Sequence, residues 1–240
     1  MNNYLNVSFK PWIGCNYINN NILKEKILIL GESHYCINDI CPSGRCPYGC
    51  CKENMKEDCF NMTIEVVNDF LNNYEKYKET YRRLSPDEKK NYSYKYLQVF
   101  LVFACRVLGK DFIGDEERKT FWNSVIFYNF MQLAQPGPNQ PISKDLLSSE
   151  NIEMYRNSLI SLIKETKPEK IIVWGRRAYN MIRFNGSETY LSTDKITTRI
   201  WNFDIDGNII PALEIHHPSC SRGRSKNWTA VYKQFLRYWE

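Results

Sequence analysis

Four stretches of the chain are short, almost wholly apolar, and end in glycine or a polar cluster. Lys26–Leu30 stops at Gly31, and Val125–Phe130 is aromatic and β-branched. Ile171–Trp174 lies between Lys167-Pro168 and Gly175, and Ala212–Ile215 follows Pro211 and runs into His216-His217-Pro218. Runs of this length bounded by turn formers predict buried strands. Helical spacing lies between and after them. Ile152, Tyr155, Leu159, Leu162 and Ile163 recur at a period of 3.6, as do Trp228, Val231, Tyr232, Phe235 and Trp239. Tyr94–Leu108 is apolar enough to predict a buried helix. The alternation predicts an α/β protein: a three-layer α/β/α sandwich around a central four-stranded, mainly parallel sheet. Residues 1–240 read as one domain with two insertions, a cysteine-rich one at 36–59 and a charged helical one at 75–95. The latter is dense in Lys, Glu and Tyr, and charge runs of this kind predict a solvated face.

Composition narrows the class. A chain of 240 residues with 43% hydrophobic content can bury its own core, so nine cysteines are not required to hold it together. The net charge of +5 is compatible with a polyanionic partner. The longest apolar run, Val99–Cys105, is far shorter than the roughly 20 residues of a membrane span. The first residues carry neither the basic nor the apolar region of a secretory signal. A cytoplasmic, monomeric protein without membrane contact is the expectation.

Candidate chemistry gathers where the predicted strands end. In open α/β sheets ligands bind outside the carboxyl ends of the strands. Those ends carry Gly31-Glu32-Ser33-His34-Tyr35, Asn129, Gly175-Arg176-Arg177 and His216-His217-Pro218-Ser219. Each alone reads as a cap, a turn or a structural histidine; their joint placement marks a site. Gly31-Glu-Ser33-His-Tyr35 also approaches a nucleophile elbow, but Tyr35 stands where the elbow needs glycine. A small-molecule hydrolase using Ser33 and His217 is therefore a lesser reading.

The order of these motifs carries a resemblance. Gly31-Glu32, then Asn129 at the end of an aromatic strand, then Pro168-x-x-x-Ile-Val-x-Gly175, then His217-Pro218-Ser219 resembles the uracil-DNA glycosylase superfamily. The resemblance spans about Lys26 to Glu240 outside the two insertions. It implies a DNA N-glycosylase that flips and hydrolytically removes a damaged or modified base. Gly31-Glu32 resembles the Gly-Glu start of the iron–sulfur-type members. Glu32 would then orient water and stabilise a cationic sugar, and His217 would donate a hydrogen bond to the leaving base. Asn129 would read the base edge, while Gly31, Ser33, His34, Tyr35 and Ser219 would line the substrate. Tyr35 and Phe60 are the candidates for a base-stacking aromatic. Arg222, Arg224 and Lys226, after the second motif, would contact DNA phosphates. The first motif departs from the family at Ser33 and at His34, where proline is usual. The base stays open among uracil, a deaminated purine and a bulky modified pyrimidine. A nucleic-acid-binding or scaffold protein on the same fold, without catalysis, is the runner-up.

The cysteines pose a separate question. Cys36, Cys41, Cys46, Cys50, Cys51 and Cys59 fall within 24 residues, interleaved with Pro42, Gly44, Pro47 and Gly49. A structural Zn2+ held by Cys41, Cys46, Cys50 and Cys59 is the leading expectation, with Cys36 and Cys51 as alternates. A 4Fe–4S cluster and unligated thiols are the other readings, because the spacing is regular for neither zinc fingers nor ferredoxins. Cys15, Cys105 and Cys220 are isolated and read as packing residues.

Overall fold

A computed structural model describes residues 9–20, 22–34, 60–90, 94–134, 142 and 144–236. Among these, seven strands form one mixed sheet and six helices pack around it. The strands are β1 (Trp12–Ile13), β2 (Ile27–Gly31), β3 (Val125–Asn129), β4 (Lys170–Trp174), β5 (Gly186–Ser192), β6 (Thr197–Ile205) and β7 (Asn208–Ile215). The helices are α1 (Met62–Arg83), α2 (Tyr94–Leu108), α3 (Asp115–Trp122), α4 (Ser149–Thr166), α5 (Arg176–Met181) and α6 (Trp228–Leu236).

The sheet order is β1-β3-β2-β4-β7-β6-β5. The four strands expected from the apolar runs are its centre, β3-β2-β4-β7, and they run parallel. The expectation of four strands is corrected to seven. Two-residue β1 pairs antiparallel with β3 at one edge, and β6 and β5 extend the other edge as antiparallel ribbons. These additions are not continuous apolar runs. β5 buries one residue of seven, and β6 alternates, as a strand with one wetter face does. β7 also starts earlier than expected, and Pro211 lies within it. This is tolerable because pairing with β4 begins only at Ala212, so β7 has a neighbour on one side there.

Successive residues of the central strands feed opposite faces. Ile27, Ile29, Val125, Phe127, Ile172 and Trp174 pack with α1, α2, α3 and α6. Leu28, Leu30, Ile126, Tyr128, Ile171 and Val173 pack with α4 and α5. Full burial on both faces is why these strands read as unbroken apolar runs. Helix α4 starts at an N-cap where the Ser148 side chain accepts from the Asn151 N–H, and ends at Lys167 in the left-handed region before Pro168.

The charged segment at 75–95 is helical up to Arg83, and none of its residues from 75 to 89 is buried, as its charge pattern predicts. It continues α1, whose first half buries Val67, Phe70, Leu71 and Tyr74, and its Tyr77 and Tyr81 pack partly buried against the same core. Its last residues open α2. No helix among the described residues is long and apolar enough to cross a membrane.

Candidate active site

The chain leaves β2 toward β3 on one side and comes back from β3 to β4 on the other. The carboxyl ends of β3, β2 and β4 therefore frame the crevice where α/β sheets bind ligands. The segments after β2 and β3 are tied together there: the Phe130 and Met131 N–H groups donate to the Gly31 and Glu32 carbonyls, each at 2.9 Å.

Glycine at position 31 is a matter of space. Gly31 pairs with Asn129 across β2 and β3, and a Cβ on it would sit 2.1 Å from Asn129 Oδ1. Asn129 is buried, and its Nδ2 lies 3.3 Å from each ring nitrogen of His34. Thr63 Oγ1, on α1, is 3.1 Å from His34 Nε2, and the Phe9 ring packs at 4.2 Å between centroids. An amide NH2 can only donate, so the assignment that satisfies all groups has His34 Nδ1 accepting from Asn129 and Nε2–H donating to Thr63. Burial pushes the His34 pKa down from 6.5 to about 3, so the ring is neutral. Sequence reasoning placed both His34 and Asn129 at the site; the structure also joins them to one another.

Glu32 follows β2 directly and forms a two-point ion pair with Arg177. Arg177 Nη2 donates to Oε2 at 2.7 Å, and Nε donates to the other oxygen. Arg177 is the second residue of α5, just beyond β4, and Gly175 at the N-cap of that helix has φ of +100°, a conformation that favours glycine. The adjacency of β2 and β4 brings the carboxylate and the guanidinium together. The sequence places Arg177 at one of the strand ends that mark the site, but no local sequence signal marks it as the partner of Glu32.

His217 lies on the loop after β7, half-buried, with its ring edge-on to Trp174 at 5.7 Å. The Ser219 N–H donates to His217 Nδ1 at 3.1 Å, and Ser219 Oγ is 2.7 Å from the same nitrogen. Nδ1 is thus an acceptor, and the proton of the neutral ring sits on Nε2. Burial lowers the His217 pKa, while the nearby charge of Glu32 acts to raise it. The two candidate catalytic groups share the end of β4: a Cβ on Gly175 would sit 3.7 Å from the His217 Cβ, and Arg177, two residues on, holds Glu32. The loop is packed so tightly that a Cβ on Gly223 would lie 2.2 Å from the His217 carbonyl oxygen.

The basic trio divides. Arg224 Nε donates to the Pro218 carbonyl at 3.2 Å and braces the loop. Lys226 pairs with Asp111 at 2.6 Å. The Arg222 side chain has no polar partner among the described residues, although its carbonyl accepts from Trp228 Nε1 at 2.9 Å.

Tyr35 and the six clustered cysteines, including Cys41, Cys46, Cys50 and Cys59, lie outside the described residues. Among the described residues no group of three or more His, Cys, Asp or Glu could hold a metal ion. Phe60 is half-buried beside α1, and its carbonyl accepts from the Lys10 N–H. The reading of the isolated cysteines as packing residues holds for buried Cys105 and is corrected for Cys15 and Cys220, which are exposed on loops. No protein-family model matches this chain, and a search of curated proteins finds no match either.

Proposed function

We propose that the chain is a DNA N-glycosylase of uracil-DNA glycosylase-like fold that removes a damaged or modified base. One observation carries the reading. Glu32 and His217, remote in sequence, follow β2 and β7, the parallel strands on either side of β4, and both pack at the carboxyl end of β4: Glu32 on Arg177 and His217 on Trp174, with His217 presenting an Nε2–H. Cleavage of an N-glycosidic bond leaves positive charge on the sugar and negative charge on the departing base. The Glu32 carboxylate stabilises the sugar and orients the attacking water, while Arg177 fixes its rotamer. A neutral imidazole fixed by Ser219 donates Nε2–H to the carbonyl oxygen of the departing base, where charge develops. The target nucleotide leaves the base stack to reach these groups. Base reading by Asn129 requires its amide to exchange His34 for the base edge.

The experiment is incubation with DNAs carrying uracil, a deaminated purine or a bulky modified pyrimidine, read out as alkali-labile sites. Release of one of these bases supports the reading; intact DNA throughout, with DNA binding retained, supports the second. That second reading, nucleic-acid binding without catalysis, is favoured by the engagement of Asn129 with His34, which leaves the amide occupied.

A further inference from the structure

Beside the His217 loop runs a groove of about 600 Å³ between the β5–β6 hairpin, the start of α5 and the segment leading into α6. It lies next to the candidate site, because His216 lines the groove while His217 belongs to the site. Its charges sort into two groups. Arg199 is held by Glu214, with Nε–Oε2 at 2.6 Å and Nη2–Oε1 at 2.9 Å, and its guanidinium lies over the Tyr179 ring. That pair neutralises the carboxylate in the groove wall. Arg176, Lys195 and Arg222 are exposed, and among the described residues none of them has a carboxylate partner. Three cations from three different elements thus face one groove, and among the described residues none of them is paired with a carboxylate.

The groove also carries an exposed aromatic. Tyr190 on β5 is 63% exposed, an unusual position for a ring, and its hydroxyl is tethered to Glu188 at 3.1 Å. The hairpin that bears Tyr190 and Lys195 is closed by its own hydrogen bonds, Thr193 N–H to the Ile196 carbonyl at 2.8 Å and Ile196 N–H to Thr193 Oγ1 at 3.1 Å. A positively charged channel with a ring on its wall is the arrangement that binds single-stranded nucleic acid: cations follow the backbone and rings stack on bases. A duplex has its base faces covered by their neighbours and could use the cations but not the ring.

We propose that this groove holds a single-stranded DNA segment flanking the target nucleotide, with Arg176, Lys195 and Arg222 on phosphates and Tyr190 stacked on a base. This deepens the glycosylase reading and rests on it for the word "flanking". The groove itself is tested without catalysis.

The test measures binding of the full chain to a fluorescent thymidine oligonucleotide, which contains no target base, and to a duplex of equal length, across a salt series. The wild type should favour the single strand. Neutralising Arg176→Gln, Lys195→Gln and Arg222→Gln together should reduce the log–log salt slope by about 2, near 0.7 for each phosphate no longer neutralised. Tyr190→Ala should weaken single-strand binding about 5- to 100-fold, and Tyr190→Phe should restore it, since stacking needs the ring and not the hydroxyl. An unchanged slope in the triple variant, with folding verified by circular dichroism, overturns the groove. Equal affinity for duplex, or a cation effect with no Tyr190 effect, overturns the single-strand assignment in favour of a general polyanion surface. Groove effects on binding from a protein that releases no base would sink the glycosylase reading alone. Base release with unaltered binding by the variants would sink the groove alone.

Discussion

Between pH 7 and pH 5, His34 should make folding less favourable by about 2 kcal/mol. Its pKa falls from 6.5 to about 3 because the ring is buried against Phe9, Thr63 and Asn129, with no charged partner among the described residues. Between those two values the unfolded chain holds a proton on this ring and the folded chain does not. Stability therefore rises with pH through the window and falls as pH drops from about 6.5 toward about 3, by about 1.4 kcal/mol per unit. From pH 7 to pH 5 this integrates to about 2 kcal/mol. The carboxylates held low by ion pairs or hydrogen bonds, such as Glu188 and Asp115, lose their contribution only at lower pH. His217 acts in the same direction as His34, so the variant must be compared with the wild type rather than with a flat line. The assay is urea unfolding at pH 7, 6 and 5 for the wild type and His34→Gln. Glutamine keeps a donor and an acceptor for Thr63 and Asn129 without titrating. At a urea slope of about 2 kcal/mol/M, the wild-type midpoint should fall about 1 M further than that of the variant. Parallel midpoints in both proteins, or an NMR titration of the His34 ring near its ordinary value, would refute the burial argument.

Other outcomes follow from the same geometry. Gly31→Ala should displace the Asn129 side chain, because its Cβ would meet Oδ1 at 2.1 Å, and should cost about 1–3 kcal/mol in denaturant unfolding; a cost under about 0.5 kcal/mol would place Asn129 elsewhere. Arg177→Ala should change global stability by less than about 1 kcal/mol, since the pair is partly exposed, yet slow base release about tenfold by freeing the Glu32 rotamer. Arg177→Lys should recover only part of that, because an ammonium cannot make the two-point contact, and equal rates in all three proteins would remove Arg177 from the site. For the cysteine segment, elemental analysis of protein purified without chelator should give about one zinc per chain, bound by Cys41, Cys46, Cys50 and Cys59; brown colour with absorbance near ~400 nm would indicate iron–sulfur ligation, and neither metal with six titratable thiols would mean unligated cysteines.

What could be read from the chain depended on how locally each feature is encoded. The central strands β2, β3 and β4 are buried at every residue, so each announces itself as an apolar run, and β7 does so over its buried middle, Ile210–Leu213. β5, with one buried residue, offers no such run, and β6 shows only an alternation broken by Asn202 and Phe203, both buried. In α1 the density of Lys and Glu masked Tyr74, Tyr77 and Tyr81, whose helical spacing turns one face to the core. At the site, Glu32, Asn129 and His217 were legible because strand ends are. The partners were not: Arg177 reaches Glu32 only through the pairing of β2 with β4, and His34 reaches Asn129 and Thr63 only once β3 and α1 are in place.

The assignment of Glu32 and His217 to the chemistry stands or falls on single-turnover base release by the wild type, Glu32→Gln and His217→Ala. The substrate is the DNA that the panel identifies, with DNA binding measured in parallel. Loss of one positioned charge-stabilising group at a reacting centre costs about 10²-fold or more. A loss of that size is expected in each variant, with DNA affinity retained and folding unchanged. Wild-type rates in both variants would contradict the assignment and separate Glu32 and His217 from the chemistry.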